Sequence, residues 1–193
     1  MGAVLERRAA YLEMDADAFR SPEGRGMNIR FKITQRLLGS IQEDLRRPHA
    51  VAHERVGFIS AGLAAAHDEL LILARDYHLV DDAQYLDDRS VGAMIDASAI
   101  RAARQWAMNS RSAIFHVHSH GGRGVPGFSS VDNRENAKFI PNFVSVAPFA
   151  VHGAIVLSDT AAFGQVWLSR DKSRPFITTF NAIGAPIRTW RAA

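Results

Sequence analysis

A chain of 193 residues, 47% hydrophobic and 22% charged, is long enough to bury one core and too apolar to be disordered. Its 23 Lys and Arg against 20 Asp and Glu leave a formal charge of only +3. No basic tract exceeds the group Arg46, Arg47 and Arg55, so no nucleic-acid partner is expected. The absence of cysteine excludes disulfides, cysteine-bound zinc, iron–sulfur clusters and thiol nucleophiles.

Residues 1–26 are charged and close on the turn-rich run Ser21-Pro22-Glu23-Gly24-Arg25-Gly26, which marks an N-terminal extension. Met1 to Arg8 holds no apolar core of signal-peptide length. The alternation in Asn28–Ile33 predicts a strand. Thr34 to Arg47, with apolar residues at 37, 38, 41 and 45 and Pro48 beyond, predicts a helix. Val56–Ala66 and Glu69–Val80 read as two strands turning around His67-Asp68, and residues 81–88 as an acidic loop. Ser98–Asn109 has helical spacing, and Ser112–His118 is a strand that runs into the loop Gly121-Gly122-Arg123-Gly124. A helix is expected from near Ser129 to about Phe139, then strands near Val144–Ala147, His152–Ser158 and Phe163–Leu168. The order predicts a mixed α/β domain over residues 27–170, with a central sheet and about three helices, followed by a C-terminal tail over 171–193 that reads as strand or coil with room for a short helix. The longest apolar-looking stretch, Phe143 to Leu157, is interrupted by Ser145, Pro148 and His152 and falls short of the roughly 20 residues of a membrane span. No membrane contact and a cytoplasmic location are the expectation.

The chemistry concentrates in Phe115-His116-Val117-His118-Ser119-His120-Gly121. In a strand, side chains two apart share a face, so the three histidines line up at a strand end. Two of them can bind one metal ion. Asp132, in Ser129-Ser130-Val131-Asp132, supplies a carboxylate in the first turn of the next helix. Alone, Ser129-x-x-Asp132 reads as a helix cap, and a His-x-His pair as a polar patch. Together they make a three-ligand set with a fourth position open to water, the arrangement of catalytic zinc. Glu54, at the start of the strand Val56–Ala66, is the candidate base. His116 and His152 are expected to be buried structural residues, and His53 and His67 have no evident partner. The acidic loop 81–88 reads first as a solvated loop and second as a flap over the substrate.

The pattern Glu54…His118-Ser119-His120…Ser129-x-x-Asp132 resembles the JAMM motif of the MPN/JAB metallopeptidases. Glu54-Arg-Val-Gly-Phe-Ile matches that family's Glu-x-x-Gly-hydrophobic strand, and the order of elements matches from about residue 28 to 169. Two features depart from the pattern. Eight residues, where the family has seven, separate His120 from Ser129, and Gly121 stands where proline is common. The resemblance implies an MPN/JAB (cytidine-deaminase-like) fold and one zinc ion on His118, His120 and Asp132. It further implies Glu54 as general base and Ser129 stabilising an oxyanion. The activity implied is isopeptide or amide hydrolysis on a ubiquitin-like protein or its conjugates, with activating and conjugating enzymes as pathway partners. A peptidase for a small amide or sulfur-carrier conjugate, a non-catalytic scaffold, and a metal-dependent nuclease are the competing readings.

Overall fold

The computed structural model describes residues 27–66, 68–168 and 174–191. Eight strands form one mixed sheet: β1 (Asn28–Thr34), β2 (Val56–Ala66), β3 (Glu69–Leu79), β4 (Ala113–Ser119), β5 (His152–Leu157), β6 (Ala162–Trp167), β7 (Thr179–Ile183) and β8 (Arg188–Arg191). Their spatial order is β6-β5-β4-β2-β3-β1-β7-β8. Among the described residues three α-helices accompany the sheet, α1 (Gln35–Leu45), α2 (Ala97–Ser110) and α3 (Ser130–Val146). The mixed α/β class expected from the sequence is therefore observed. The N-terminal extension and His67 lie outside the described residues.

Alternation along the central strands separates two cores. Ile59 of β2, Phe115 and Val117 of β4 and Ile155 of β5 face one side, where Leu38, Ile41 and Leu45 of α1 cover them. Val56 and Phe58 of β2 and Ile114 near the start of β4 belong to the second core, with α2 and α3. Helix α2 buries Ala99, Ala103 and Ala107. Small residues at that spacing form one stripe and let the helix lie close to its neighbours. The helix starts are capped from the sequence. Thr34 Oγ1 accepts from Leu37 N at 3.2 Å, and Asp96 Oδ1 accepts from Ser98 N and Ala99 N at 2.8 and 3.0 Å.

One expectation changes. The strand read at Val144–Ala147 is the last turn of α3, which continues past Phe139 to Val146 with Pro141 inside it. Proline removes one hydrogen bond from a helix interior. Burial outweighs that loss, because Asn136, Ile140, Phe143 and Ala147 follow a 4-3-4 spacing and all face inward. The segment set apart as a tail contributes β7 and β8 to the same sheet. β7 pairs parallel with β1, Phe31 opposite Phe180, and their rings lie 5.6 Å apart. Among the described residues, no helix is long and apolar enough to cross a membrane.

Candidate metal centre

The pairing of β2 with β4 explains why distant residues meet. The strands are antiparallel with Val56 opposite His118 and Phe58 opposite His116. Residues directly opposite share a face. Two positions beyond the pair Val56/His118 the same register brings Glu54 opposite His120, where β4 has just ended. His116, His118 and His120 thus share one face with Glu54, as the alternation predicts. Ser119 points the other way and ties the strand end to β5, its hydroxyl donating to Leu157 O at 3.2 Å while His120 N donates to the same carbonyl at 3.1 Å.

Beyond His120 the chain turns through Gly121, Gly122 and Gly124, all at positive φ (64°, 68° and 96°), a region that costs glycine nothing. The loop is anchored to the β5–β6 turn. Asp159 N donates to Gly122 O at 2.9 Å and Ser158 Oγ to Gly124 O at 2.6 Å. It delivers Ser129 as the N-cap of α3. Ser129 Oγ accepts from Asp132 N at 3.1 Å, and Asp132 Oδ2 accepts from Ser129 N at 2.7 Å. The cap does not turn the carboxylate away from the histidines: Oδ2, which accepts from Ser129 N, also lies near His120 Nε2, and Oδ1 near His118 Nε2.

The donor atoms converge. His118 Nε2 and His120 Nε2 lie 3.1 Å apart, His118 Nε2 is 3.4 Å from Asp132 Oδ1, and His120 Nε2 is 3.2 Å from Asp132 Oδ2. A tetrahedral site with metal–donor arms of about 2 Å has edges of roughly 3.3 Å, so these separations fit one ion. Two imidazole nitrogens facing each other at 3.1 Å also require a proton or a cation between their lone pairs. Glu54, His118 and His120 each offer a donor atom, all within 4.8 Å of one another. A group of this composition could hold a metal ion. Burial works against the Asp132 charge, but hydrogen bonds from His118 and Ser129 outweigh it and keep the carboxyl below its ordinary range.

Glu54 is fixed from above by a segment that sequence reasoning passed over. His53 N and Glu54 N both donate to Gly92 O, at 2.8 and 2.9 Å. A Cβ on Gly92 would stand 2.5 Å from Glu54 Oε2, so a larger residue here would displace the end of the Glu54 side chain. Residues 89–95 wall a cavity of about 750 Å³ whose other side carries Glu54, His116, His118, His120 and Asp132. The acidic loop 81–88 has a different use. Asp82 pairs with the buried Arg55 at 2.8 Å, and Asp81 caps a 3₁₀ turn over Asp82–Gln84. The wall is the stretch after it, and its one sequence signal was Gly92 among small and apolar residues.

The remaining histidines divide. His152 is fully buried, its Nδ1 accepting from Ile114 N and its Nε2–H donating to Ala147 O, both at 3.1 Å, as befits a structural residue. His116 is buried on the cavity side against Phe58 and Phe139, and burial pushes its pKa down to about 3. Of the dense basic group, Arg55 is spent on Asp82 and on the carbonyls of Arg47 and Pro48, and Arg47 on Asp44.

No family model matches the chain, and no curated protein matches it significantly. Among solved structures, the N-terminal domain of STIL from Trichoplax adhaerens aligns at 13% identity over 69% of this chain and 39% of that one, with a TM-score of 0.33. The chain thus spans well under half of that protein's length, and the likeness is too slight to carry an argument.

Proposed function

We propose that this chain is a zinc-dependent amide hydrolase of the JAMM type on an MPN/JAB fold, acting in the cytoplasm on the C-terminal amide or isopeptide bond of a ubiquitin-like protein. One observation carries the reading: two imidazoles and one carboxylate at tetrahedral spacing, with a second carboxylate within 4.8 Å of both imidazole donors. His118, His120 and Asp132 would hold the ion. Zinc there supplies Lewis acidity, bringing the pKa of a water towards neutrality and polarising a carbonyl.

The chain's own groups do the rest. Glu54 takes the proton of the attacking water and later hands it to the leaving amine. Its main chain is anchored by the hydrogen bonds that His53 N and Glu54 N donate to Gly92 O. Ser129 Oγ accepts from Asp132 N, which leaves the hydroxyl proton free to donate to the oxyanion that develops on the carbonyl. No covalent intermediate is called for, in keeping with a chain without cysteine.

A cavity of about 750 Å³ is also of the size used for small ligands, which supports a second reading, a peptidase for a short conjugate such as an amino acid on a sulfur carrier. The deciding experiment measures zinc content and then cleavage of a ubiquitin-like modifier fused through its C-terminus to a reporter, beside a short peptide conjugate. Cleavage of the fusion supports the isopeptidase, cleavage of the short conjugate alone supports the second reading, and zinc near zero with neither product leaves a non-catalytic scaffold.

A further inference from the structure

Glu54 stands two residues ahead of Val56, where β2 begins, so the paired part of the strand stops short of it. What holds it comes from the segment between β3 and α2. Gly92 O accepts from His53 N and Glu54 N at 2.8 and 2.9 Å. Tyr85 supplies a second hold. Its hydroxyl accepts from Val56 N at 2.9 Å and donates to Val56 O at 3.2 Å. The pairing of β2 with β3 ends at Gly57 and Leu79, so the hydroxyl bonds a main-chain unit beyond that ladder.

The two holds are joined. Tyr85 and Ile95 form an antiparallel bridge, flanked by hydrogen bonds from Leu86 N to Met94 O and from Asp96 N to Gln84 O, both 2.8 Å. The bridge closes the loop 86–94 at its base, three residues from Gly92. A circuit therefore runs from Tyr85 through Ile95 and Gly92 to Glu54, and back through Val56. Each step is a hydrogen bond or a few residues of chain, so a shift at Tyr85 reaches Glu54 by both routes. Tyr85 itself is 7% exposed and does not line the cavity, so it meets no substrate there. Its ring is seated independently of the hydroxyl, 4.5 Å from the His49 ring and with the Arg55 guanidinium 5.7 Å above it. Removing the hydroxyl alone leaves that packing in place.

We infer that Tyr85 is a positioning residue for Glu54: its hydroxyl and its bridge to Ile95 hold the main chain of Glu54 beside the two imidazoles, and it acts on the reaction only through that carboxylate. The kinetic consequence rests on the hydrolase reading, whereas the mechanical coupling does not. The kinetic test uses whichever of ubiquitin-aminomethylcoumarin and acetyl-glycyl-glycyl-aminomethylcoumarin the zinc protein cuts faster. Tyr85→Phe is expected to lower kcat by about 10- to 100-fold, the scale of a small misplacement of a reacting group. KM and zinc content stay unchanged. In a Glu54→Gln background the same substitution changes the residual rate by less than about twofold, because the group it positions is already gone. A residue that merely supports the fold would cost the same in both backgrounds. Equal losses in the two, or no loss in either, overturn the inference.

Hydrogen exchange separates it from the hydrolase reading. In Tyr85→Phe the His53 and Glu54 amides, whose acceptor on Gly92 is untouched by the substitution, should lose about tenfold or more of their protection. Phe115 and Val117 of β4 keep theirs. If the wild type cuts neither substrate and this loss is seen, the hydrolase reading falls and the role of Tyr85 in holding Glu54 stands. If the two amides keep their protection, the inference falls whatever the activity. Should Tyr85→Phe fail to fold, the wild type decides: protection factors at His53, Glu54, Val56, Leu86 and Asp96 agree within about tenfold when the circuit opens as one unit. A wider spread among them overturns it.

Discussion

The two faces of β4 are built from interleaved residues of one heptapeptide and follow opposite rules. Phe115 and Val117 face α1, fully buried in a dry apolar core in which Phe31 meets Phe115 edge to face at 5.4 Å. His116 and His118 lie on the cavity side, also buried, yet each keeps a ring nitrogen without a protein partner. Buried polar groups left unpaired cost stability, and packed apolar groups contribute it. The first face therefore holds the sheet together, and the second spends some of that stability on a site.

The comparison breaks most visibly at the ligands. His118→Ala should abolish hydrolysis and drop zinc from one ion per chain to near none by metal analysis, while the melting transition of the apo protein changes little. Zinc that remains stoichiometric in this variant would remove the metal centre as described. Glu54→Gln should retain zinc and lose activity by about 10²- to 10⁴-fold, the range for a general base. Loss of zinc in that variant would make Glu54 a ligand instead.

On the other face, Phe115→Ala should cost about 3–5 kcal/mol in denaturant unfolding. The fraction that stays folded should still bind zinc with wild-type stoichiometry. A cost below about 1 kcal/mol would mean that this face is not the structural one.

His152 sharpens the comparison as a buried histidine with both nitrogens paired. Its neutral form is the one the structure holds, and burial lowers its pKa from 6.5 to about 4 despite the backbone hydrogen bonds. Between those values the unfolded chain binds the extra proton, so stability is complete above pH 6.5 and is lost as pH falls towards 4. The loss is on the order of 3 kcal/mol for this group. His116, depressed by burial in the same direction, adds to the slope. Asn and Gln mimic a neutral imidazole, so His152→Gln should flatten the stability–pH curve by the share of His152 alone, and an unchanged curve would count against its burial as neutral. The smallest effect is expected at Gly92→Ala. Its methyl would push on Glu54 Oε2, lowering kcat by about 10- to 100-fold with zinc content and KM unchanged.

Much of this was legible along the chain. Strands β2 and β3 fall where the apolar runs and the break at 67–68 put them, and the alternation in β4 placed His116, His118 and His120 on one face. The cap at Ser129 and Asp132 was visible as a spacing and is there as a pair of hydrogen bonds. The end of α3 was not legible, because Pro141 imitates a helix stop, and only the core beneath Phe143 and Ala147 outweighs it. Residues 89–95 were passed over because a loop without periodicity carries no sign of what it will rest on.

Local order was thus the chain's own doing: which stretches alternate, which repeat at helical spacing, and which side chains share a strand face or a helix turn, since these depend on residues a few positions apart. What tertiary structure alone decided was register and distance. Only the pairing of β2 with β4 brings Glu54 to His120, only the turns after β4 bring Asp132 to both imidazoles, and only the hydrogen bonds to the Gly92 carbonyl seat the wall beside Glu54. Those meetings depend on hydrogen bonds between residues tens of positions apart, and no local spacing encodes them.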